Sequence, residues 1–333
     1  MRLVGQTARR CRPNECRAGR SVAAGPLRIA GRREVNFTDI RMDASLRRVL
    51  SGFGILVLLI AAGAPLSSTN ASTMFCLALL LFGLPHGTLD IERMKSAAQT
   101  GWHETFGLFG IYLALAAATY AAWVFSPVLA MALFLGCAVL HFSEDWLEMD
   151  DPLLALGTAA ALLASPALLH REDLRAIFAL VTGAAEGALL AEVLRAVAPV
   201  AIGLSVAGIA GLVRSGRPRQ AICCALLLTA MIVAPPLAAF CLFFCLYHSP
   251  MHLRAACRSV TMSRNGQLIV GSGLTAAAAG FAAVLASAEW RGSLPGSLVA
   301  ATFVTFSVLT VPHMVSPLIV ERLRRRQQVV SAG

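Results

Sequence analysis

Charged residues are scarce in this sequence. Asp, Glu, Lys and Arg make up 14% of the 333 residues, whereas a soluble domain carries about a quarter. Hydrophobic residues make up 57%, and they occur in long blocks rather than in alternation. Several blocks approach the roughly 20 residues that a helix needs to cross a bilayer. The composition therefore excludes an ordinary soluble domain and predicts an all-α polytopic membrane protein in a lipid bilayer.

Paired cysteine motifs are also missing. The nine cysteines are scattered, and none belongs to a CxxC pattern. Most lie inside apolar blocks, where a cysteine usually acts as a small hydrophobic residue. The sequence therefore supports neither a zinc ribbon nor a thiol redox motif.

The first 41 residues lack both long apolar stretches and periodicity. They hold ten arginines against three acidic residues, and so carry most of the net charge of +10. No apolar stretch precedes a small-residue cleavage site, so residues 1–41 are not predicted to be a signal peptide. We expect a disordered cytoplasmic leader, with Met42 as an alternative start. Charge alone predicts no nucleic-acid partner.

Ten apolar segments are candidate membrane spans. We expect a compact bundle of about eight to ten transmembrane helices over residues 42–322, rich in the small residues that let helices approach closely. A basic cytoplasmic tail is expected at 323–333. The weakest candidate, 176–195, carries Glu186 and Glu192 and is alternatively an interfacial helix. The candidates are 49–66, 72–90, 104–124, 127–142, 152–169, 176–195, 197–213, 220–247, 266–288 and 297–320.

Basic residues flank several of these spans. Arg47 precedes the first span, Arg93 follows the second, Arg254 follows the span that ends in "YHSPMH", and basic residues at 322–326 follow the last. The positive-inside rule then predicts an even number of spans in the inner (plasma) membrane, with both termini cytoplasmic. The basic loop at 214–220 conflicts with the ten-span count.

Five of the seven histidines lie at or near the ends of apolar spans, at depths that span parity places on one side of the bundle. Ionisable residues in membrane spans are costly and usually functional, so five at one depth predict a metal site. The other two, His103 and His170, lie in polar connecting segments and are expected to be solvated. The five are His86, His141, His248, His252 and His313.

His248 and His252 are four residues apart, so they share one helix face and are placed to hold one ion. Pro250 between them interrupts the backbone hydrogen bonds, and the kink either aims the two rings or marks the helix end. Imidazole sets without thiolates suit iron, zinc or copper.

Carboxylates follow two of the histidines at helical spacing. Asp90 lies four residues after His86, and Glu144 and Asp145 lie three and four residues after His141. We expect them to accept hydrogen bonds from ring nitrogens that face away from the metal. Alternatively they are interfacial charges at span ends.

Four motifs, "GLPHGTLD", "HFSEDW", "YHSPMHL" and "VPHM", occur in this order and resemble the Brp/Blh family of bacterial and archaeal β-carotene 15,15′-dioxygenases. The resemblance covers about residues 50–320. It implies a non-haem Fe(2+) enzyme that cleaves the central double bond of β-carotene with O2 into two all-trans-retinal molecules. The ligands it implies are His86, His141, His248 and His252. His313 lies in a family-like "PH" pair, but we do not expect it to be a ligand; we expect it behind the ligands or in the pocket wall.

A carotenoid dissolves in the bilayer, so we expect a long, apolar and preformed pocket that opens sideways to lipid. Its depth would select the central double bond. A retinal-binding opsin is the expected consumer of the product. The candidate lining residues, each alternatively ordinary packing or part of an interface belt, are Phe82, Phe142, Trp146, Phe243, Phe244 and Tyr247.

Other functions stay open. A di-iron membrane hydroxylase of carotenoids or lipids uses more histidines in clustered motifs, whereas this sequence has no HxxHH. A His-rich metal transporter would distribute carboxylates and histidines along a path, whereas here the histidines share one depth. A non-catalytic partner of a retinal protein is the third alternative.

Overall fold

The computed structural model describes residues 37–98, 102–287 and 294–332. These residues form helices and short connections, with no β-strand among them. Within them, nine helical segments are long and apolar enough to cross a membrane. The predicted all-α polytopic fold of eight to ten spans is confirmed. The expected leader falls largely on residues 1–36, outside the described part of the chain, and the first helix begins at Phe37.

The helices follow one another through short turns. The nine candidate spans are Ala44–Ala61, Thr69–Ser96, Thr105–Phe125, Pro127–Met149, Pro152–Leu169, Ala184–Arg214, Pro236–Ser259, Arg264–Ser287 and Leu298–Arg322. The helices are α1 (Phe37–Ala61), α2 (Thr69–Ala78), α3 (Asp90–Ala98), α4 (Trp102–Phe125), α5 (Pro127–Ser143), α6 (Pro152–Ala164), α7 (Pro166–Leu169), α8 (Arg171–Thr182), α9 (Ala184–Arg214), α10 (Pro218–Val233), α11 (Pro236–Phe243), α12 (Ser249–Ser259), α13 (Arg264–Ser287) and α14 (Leu294–Ala332).

Two predicted spans are wrong in their bounds. The segment 176–195 breaks at Gly183, whose φ of +108° ends α8. The 12 residues of α8 rise only about 18 Å, which is short of a hydrocarbon core of roughly 30 Å. The segment 220–247 breaks before Pro235, and the membrane-spanning stretch is Pro236–Ser259 instead.

The helix α10 connects the two ends of the bundle. Arg217, just before α10, pairs with Asp150 at 3.0 Å, close to where α5 finishes. Pro235, just after α10, shares a cavity wall with Asp173 at the start of α8. Because Arg217 pairs with Asp150, the basic loop 214–220 lies at the same end as the predicted ligands. This removes the conflict in the sequence-based topology.

The spans that carry His248, His252 and His313 are the most buried of the candidate spans. In their most apolar 18-residue stretches 61% of the residues are buried, against 11% in the span Thr105–Phe125 and 17% in Arg264–Ser287. The last helix, α14, packs against α2, α3, α4, α5, α8 and α13. The peripheral helices α4 and α13 therefore form the wall between these buried spans and the surroundings.

Pro250 removes one backbone hydrogen bond from the segment that carries His248 and His252. Proline has no N–H, so the carbonyl of Leu246, four residues earlier, loses its helical donor. The guanidinium of Arg48 in α1 replaces that donor, with Nε 2.8 Å from the Leu246 oxygen. The kink is thus satisfied from a neighbouring helix, as an irregular backbone at membrane depth requires.

Two π-helical turns lie side by side next to the predicted ligands. The first, Leu79–Gly83, precedes His86, and the second, Phe244–His248, ends at a predicted ligand. Ser249 Oγ donates a hydrogen bond of 2.8 Å to the Phe82 carbonyl of the first turn. Such turns occur frequently at functional sites because they redirect side chains.

We expect Arg48→Met to destabilise the fold. The Leu246 carbonyl would be left without its donor, at a cost of about 1–3 kcal/mol. The free energy of unfolding in mixed micelles, measured by titration with a denaturing detergent, tests this. Arg47→Met, at an exposed neighbouring position, is the matched control. Equal stability of the two variants would contradict the account.

Candidate metal centre

His86 is aimed by its own backbone. It lies in a tight 3-10 turn, Leu84–Gly87, that follows the first π-helical turn. Its Nδ1 is 2.6 Å from the carbonyl oxygen of Gly83. A carbonyl only accepts, so Nδ1 carries the proton and Nε2 is the nitrogen able to bind an ion. A Cβ on Gly83 would lie 2.6 Å from the Phe244 ring, so glycine is needed for this close approach.

His141 and His248 each present a buried nitrogen to the same space. Both rings are buried, and among the described residues Nε2 of each has no hydrogen-bond partner. Nδ1 of His141 lies 3.7 Å from the exposed carboxylate of Glu144. Unpaired buried polar atoms are rare and costly in folded proteins, and a bound ion would satisfy both nitrogens.

Three imidazoles converge on one point. One nitrogen from each of His86, His141 and His248 lies within 4.8 Å of the other two. The donors are neutral nitrogens in a buried site, and two of them lack any other partner. These residues therefore fit a divalent transition-metal ion, which would satisfy the unpaired nitrogens together.

Asp145 ties two of the predicted ligands together. Its Oδ2 accepts from Nδ1 of His248, and its Oδ1 accepts from Nε2 of His252, both at 2.8 Å. The carboxylate is buried, and an ionised carboxylate only accepts, so both ring nitrogens donate. The nitrogens left for an ion are Nε2 of His248 and Nδ1 of His252. Asp145 thus sits where a carboxylate behind metal-binding histidines belongs.

The second carboxylate, Asp90, holds His313. Its Oδ2 accepts from Nδ1 of His313 at 2.6 Å, and both groups are buried. Its Oδ1 is 3.8 Å from the Arg93 guanidinium. The His313 ring lines the same cavity as His86 and His141.

A cavity of about 560 Å³ adjoins the histidines. Its wall contains the rings of His86, His141 and His313, and is otherwise almost entirely apolar. Two of the predicted lining residues, Phe142 and Phe244, lie in this wall. Sequence reasoning missed the remaining aromatic residues of the wall, which are Phe109, Tyr112, Tyr120, Phe134, Phe240, Phe281 and Phe306.

The other predicted pocket residues lie elsewhere. The side chain of Phe82 points outward and is 65% exposed. Trp146 and Tyr247 stack on each other at 5.2 Å, and Tyr247 stacks on Phe243. All three are buried in the core behind His248, and none is among the residues that line the cavity.

Exposed lining residues place the opening of the cavity at two peripheral helices, α4 and α13. Leu113 of α4 and Leu274 of α13 line it and are also 51% and 41% exposed on the outer surface. Deeper in the bundle, the rings of Tyr120 and Phe281 meet across the same two helices at 6.0 Å. The opening therefore faces the surroundings of the spans, and the ring pair bounds its inner end.

The remaining histidines are not part of this cluster as far as the structure describes them. His170 lies at the opposite end of the bundle, where Nδ1 is 3.3 Å from Asp173 Oδ2. His103 lies in the first turn of α4, but its side chain is outside the described residues.

Comparisons with known proteins agree with the family that the four sequence motifs resemble. The family model described as "Beta-carotene 15,15'-dioxygenase" matches residues 77–320. The chain is 25% identical over 263 residues to the "Beta-carotene 15,15'-dioxygenase" of uncultured marine bacterium 66A03, which covers 72% of this chain and 90% of the relative. It is 28% identical over 326 residues to the "Probable beta-carotene 15,15'-dioxygenase Blh" of Halobacterium salinarum (strain ATCC 700922 / JCM 11081 / NRC-1), covering 82% and 92%. No solved structure matches the chain.

We expect Asp145→Asn to weaken metal binding by about 10- to 100-fold. An amide presents one acceptor and one donor, so either His248 or His252 would lose its acceptor. The dissociation constant for Zn²⁺, a redox-inert probe, is measured on the purified protein by competition with a chromophoric chelator. Asp173→Asn alters the carboxylate of the His170 pair at the opposite end and should leave the affinity unchanged. Equal affinities of the two variants would count against the centre.

Proposed function

This chain belongs to the β-carotene 15,15′-dioxygenase family, and we propose that it cleaves the 15,15′ double bond of β-carotene with O2 into two all-trans-retinal molecules. The observation that carries the proposal is the placement of converging, buried imidazole nitrogens in the wall of a large apolar cavity. A hydrocarbon substrate needs such a cavity, and a reaction with dioxygen needs a redox-active group beside it.

The group that fits is a ferrous ion. A bound ferrous ion would supply the redox chemistry with dioxygen that the apolar side chains of the cavity lack. The carboxylate of Asp145 and the carbonyl of Gly83 keep ring nitrogens turned toward the site. The residues proposed to hold the ion are His86, His141, His248 and His252.

The proposed reaction balances without an added reductant. The central double bond breaks, and each of its two carbons gains one oxygen atom of O2 to become an aldehyde. No side chain has to act as a general base in this scheme. The role of the protein is to hold the polyene beside the site and to keep water out, which the apolar wall favours.

The depth of the cavity suggests how the central bond is selected. Phe109 and Tyr120 both lie in the wall, and their separation along α4 corresponds to about 16 Å at the helical rise. That depth accommodates part of a C40 polyene, not all of it. We propose that one half of the symmetrical substrate fills the cavity down to Tyr120 and Phe281, while the other half extends through the opening at Leu113 into lipid.

The alternatives have less support. A carotenoid or lipid hydroxylase of the di-iron kind needs ligands for two ions, whereas the two candidate ligand groups in the described residues share His248. A metal transporter needs a polar path, whereas the cavity that leaves this cluster is apolar. Neither alternative accounts for the opening at α4 and α13.

The side of the membrane on which the site lies follows from charge. Arg47, Arg93, Arg217 and Arg254 lie at the histidine end. At the opposite end, Arg171 is paired with acidic side chains. By the positive-inside rule, we propose that the histidine end faces the cytoplasm of the inner membrane, with both termini on that side. Retinal released into the bilayer would then be accessible to a retinal-binding opsin.

We expect expression of the full chain in a bacterium engineered to make β-carotene to convert the pigment to retinal, measured by chromatography of extracts. His248→Ala should abolish retinal formation, because it removes one converging nitrogen. His170→Ala, whose ring lies at the opposite end, should retain activity. Intact carotene with the wild-type protein folded and iron-loaded in the membrane would refute β-carotene as the substrate.

We expect Phe281→Ala to change the products. Removing this ring opens the inner end of the cavity, so the polyene slides deeper and cleavage at off-centre bonds adds longer and shorter apocarotenals to retinal. The chain lengths are read by chromatography and mass spectrometry. Val284→Ala, an exposed position on the same helix, is the control. Retinal as the sole product of both variants would contradict the proposed role of cavity depth.

A further inference from the structure

We infer that His313 is a further ligand of the metal, held in place by Asp90. The inference rests on the proposed iron-dependent function and adds a nitrogen to the ligand set that the family resemblance implies. Its basis is the position of the ring, the direction in which it is held, and the space left for it by a neighbouring glycine.

The His313 ring sits as close to the centre as a predicted ligand does. Its centroid is 4.9 Å from the rings of both His86 and His141. The corresponding distances for His248 are 5.1 and 4.8 Å. For His252 they are 6.1 and 5.2 Å. His313 therefore lies nearer to the rings of His86 and His141 than His252 does, whereas His252 lies nearer to His248, at 4.4 Å.

The His313 ring is also oriented so that one nitrogen is available to an ion. Nδ1 donates to Asp90 at 2.6 Å, so Nε2 is the nitrogen available to an ion, and the ring lines the cavity with His86 and His141. Asp145 fixes His248 in the same manner at 2.8 Å. A carboxylate that accepts from the outer nitrogen of a ligating histidine fixes its tautomer and raises its basicity.

Gly87 leaves room for this pair. A Cβ at that position would lie 3.3 Å from Nδ1 of His313 and 3.8 Å from Oδ2 of Asp90. The first distance is tighter than an ordinary van der Waals contact, so a side chain there would displace the ring. The absence of a side chain at Gly87, which follows His86 in "GLPHG", therefore leaves the space that the His313 ring occupies.

A structural role for the pair is the competing explanation. Asp90 is almost completely buried, and a buried carboxylate needs a partner whether or not a metal is present. The chain offers a matched comparison, because His170 and Asp173 form a similar pair at the opposite end of the bundle. Only a ligand role predicts that removing the His313 ring takes one imidazole away from the ion.

The test uses the full chain, purified in lipid nanodiscs and loaded anaerobically with ferrous iron. X-ray absorption counts the imidazoles on the ion, and chelator competition gives the Fe²⁺ dissociation constant. We expect His313→Ala to lower the imidazole count by about one and to weaken binding at least 10-fold, and free imidazole to restore part of the affinity. His170→Ala should change neither. Asp90→Asn, which keeps the size of the side chain, should weaken binding by about 10- to 100-fold.

The outcomes separate the two proposals. An unchanged imidazole count and Fe²⁺ affinity in His313→Ala would overturn the ligand assignment and leave the dioxygenase proposal standing. If His313→Ala does not fold, unchanged Fe²⁺ affinity in folded Asp90→Asn overturns the assignment in the same way. A folded wild-type protein that binds no iron would instead contradict the proposed function.

Discussion

Two buried carboxylates fix the directions of three imidazole rings in an apolar bundle, and most features of the site depend on those hydrogen bonds. Asp145 and Asp90 are both buried, and each accepts from ring nitrogens at 2.6–2.8 Å. A carboxylate or imidazole nitrogen left unpaired in such surroundings is costly. With their outer nitrogens bonded to carboxylates, His248 and His313 turn their other nitrogens inward, where an ion would satisfy them. The two carboxylates therefore explain which ring nitrogens of His248 and His313 are left for an ion.

Buried backbone groups around the site also need hydrogen-bond partners. Two π-helical turns and Pro250 disrupt regular helical hydrogen bonding beside the histidines, and side chains from other helices donate to two carbonyls of these segments. Arg48 donates to the Leu246 carbonyl, and Ser249 donates to the Phe82 carbonyl. At membrane depth an irregular backbone persists only where neighbouring groups satisfy it. The kink at Pro250 therefore helps to orient the rings of His248 and His252.

The sequence predicted the all-α fold, and it singled out histidines of which the structure brings three together, because long apolar blocks and ionisable residues within them are both readable without tertiary structure. Span bounds were predicted less well. Gly183 looks like any glycine in an Ala- and Gly-rich segment, and its positive φ is seen only in the structure. The pocket aromatics were missed because neighbours of a histidine in sequence, such as Phe82, can face outward, whereas Tyr120 and Phe281 reach the cavity from distant helices. Spacing in the sequence did not indicate His313 as a ligand either; that inference depends on its position in the fold.

The central claim is that this cluster forms one mononuclear iron centre, and the number of iron atoms per chain tests it most directly. The full chain would be purified in nanodiscs, loaded anaerobically with ferrous iron, freed of excess metal and analysed by elemental analysis against protein concentration. The account predicts one iron per chain. Two irons per chain would indicate a dinuclear oxygenase, and none in the folded protein would contradict a metal centre at these histidines.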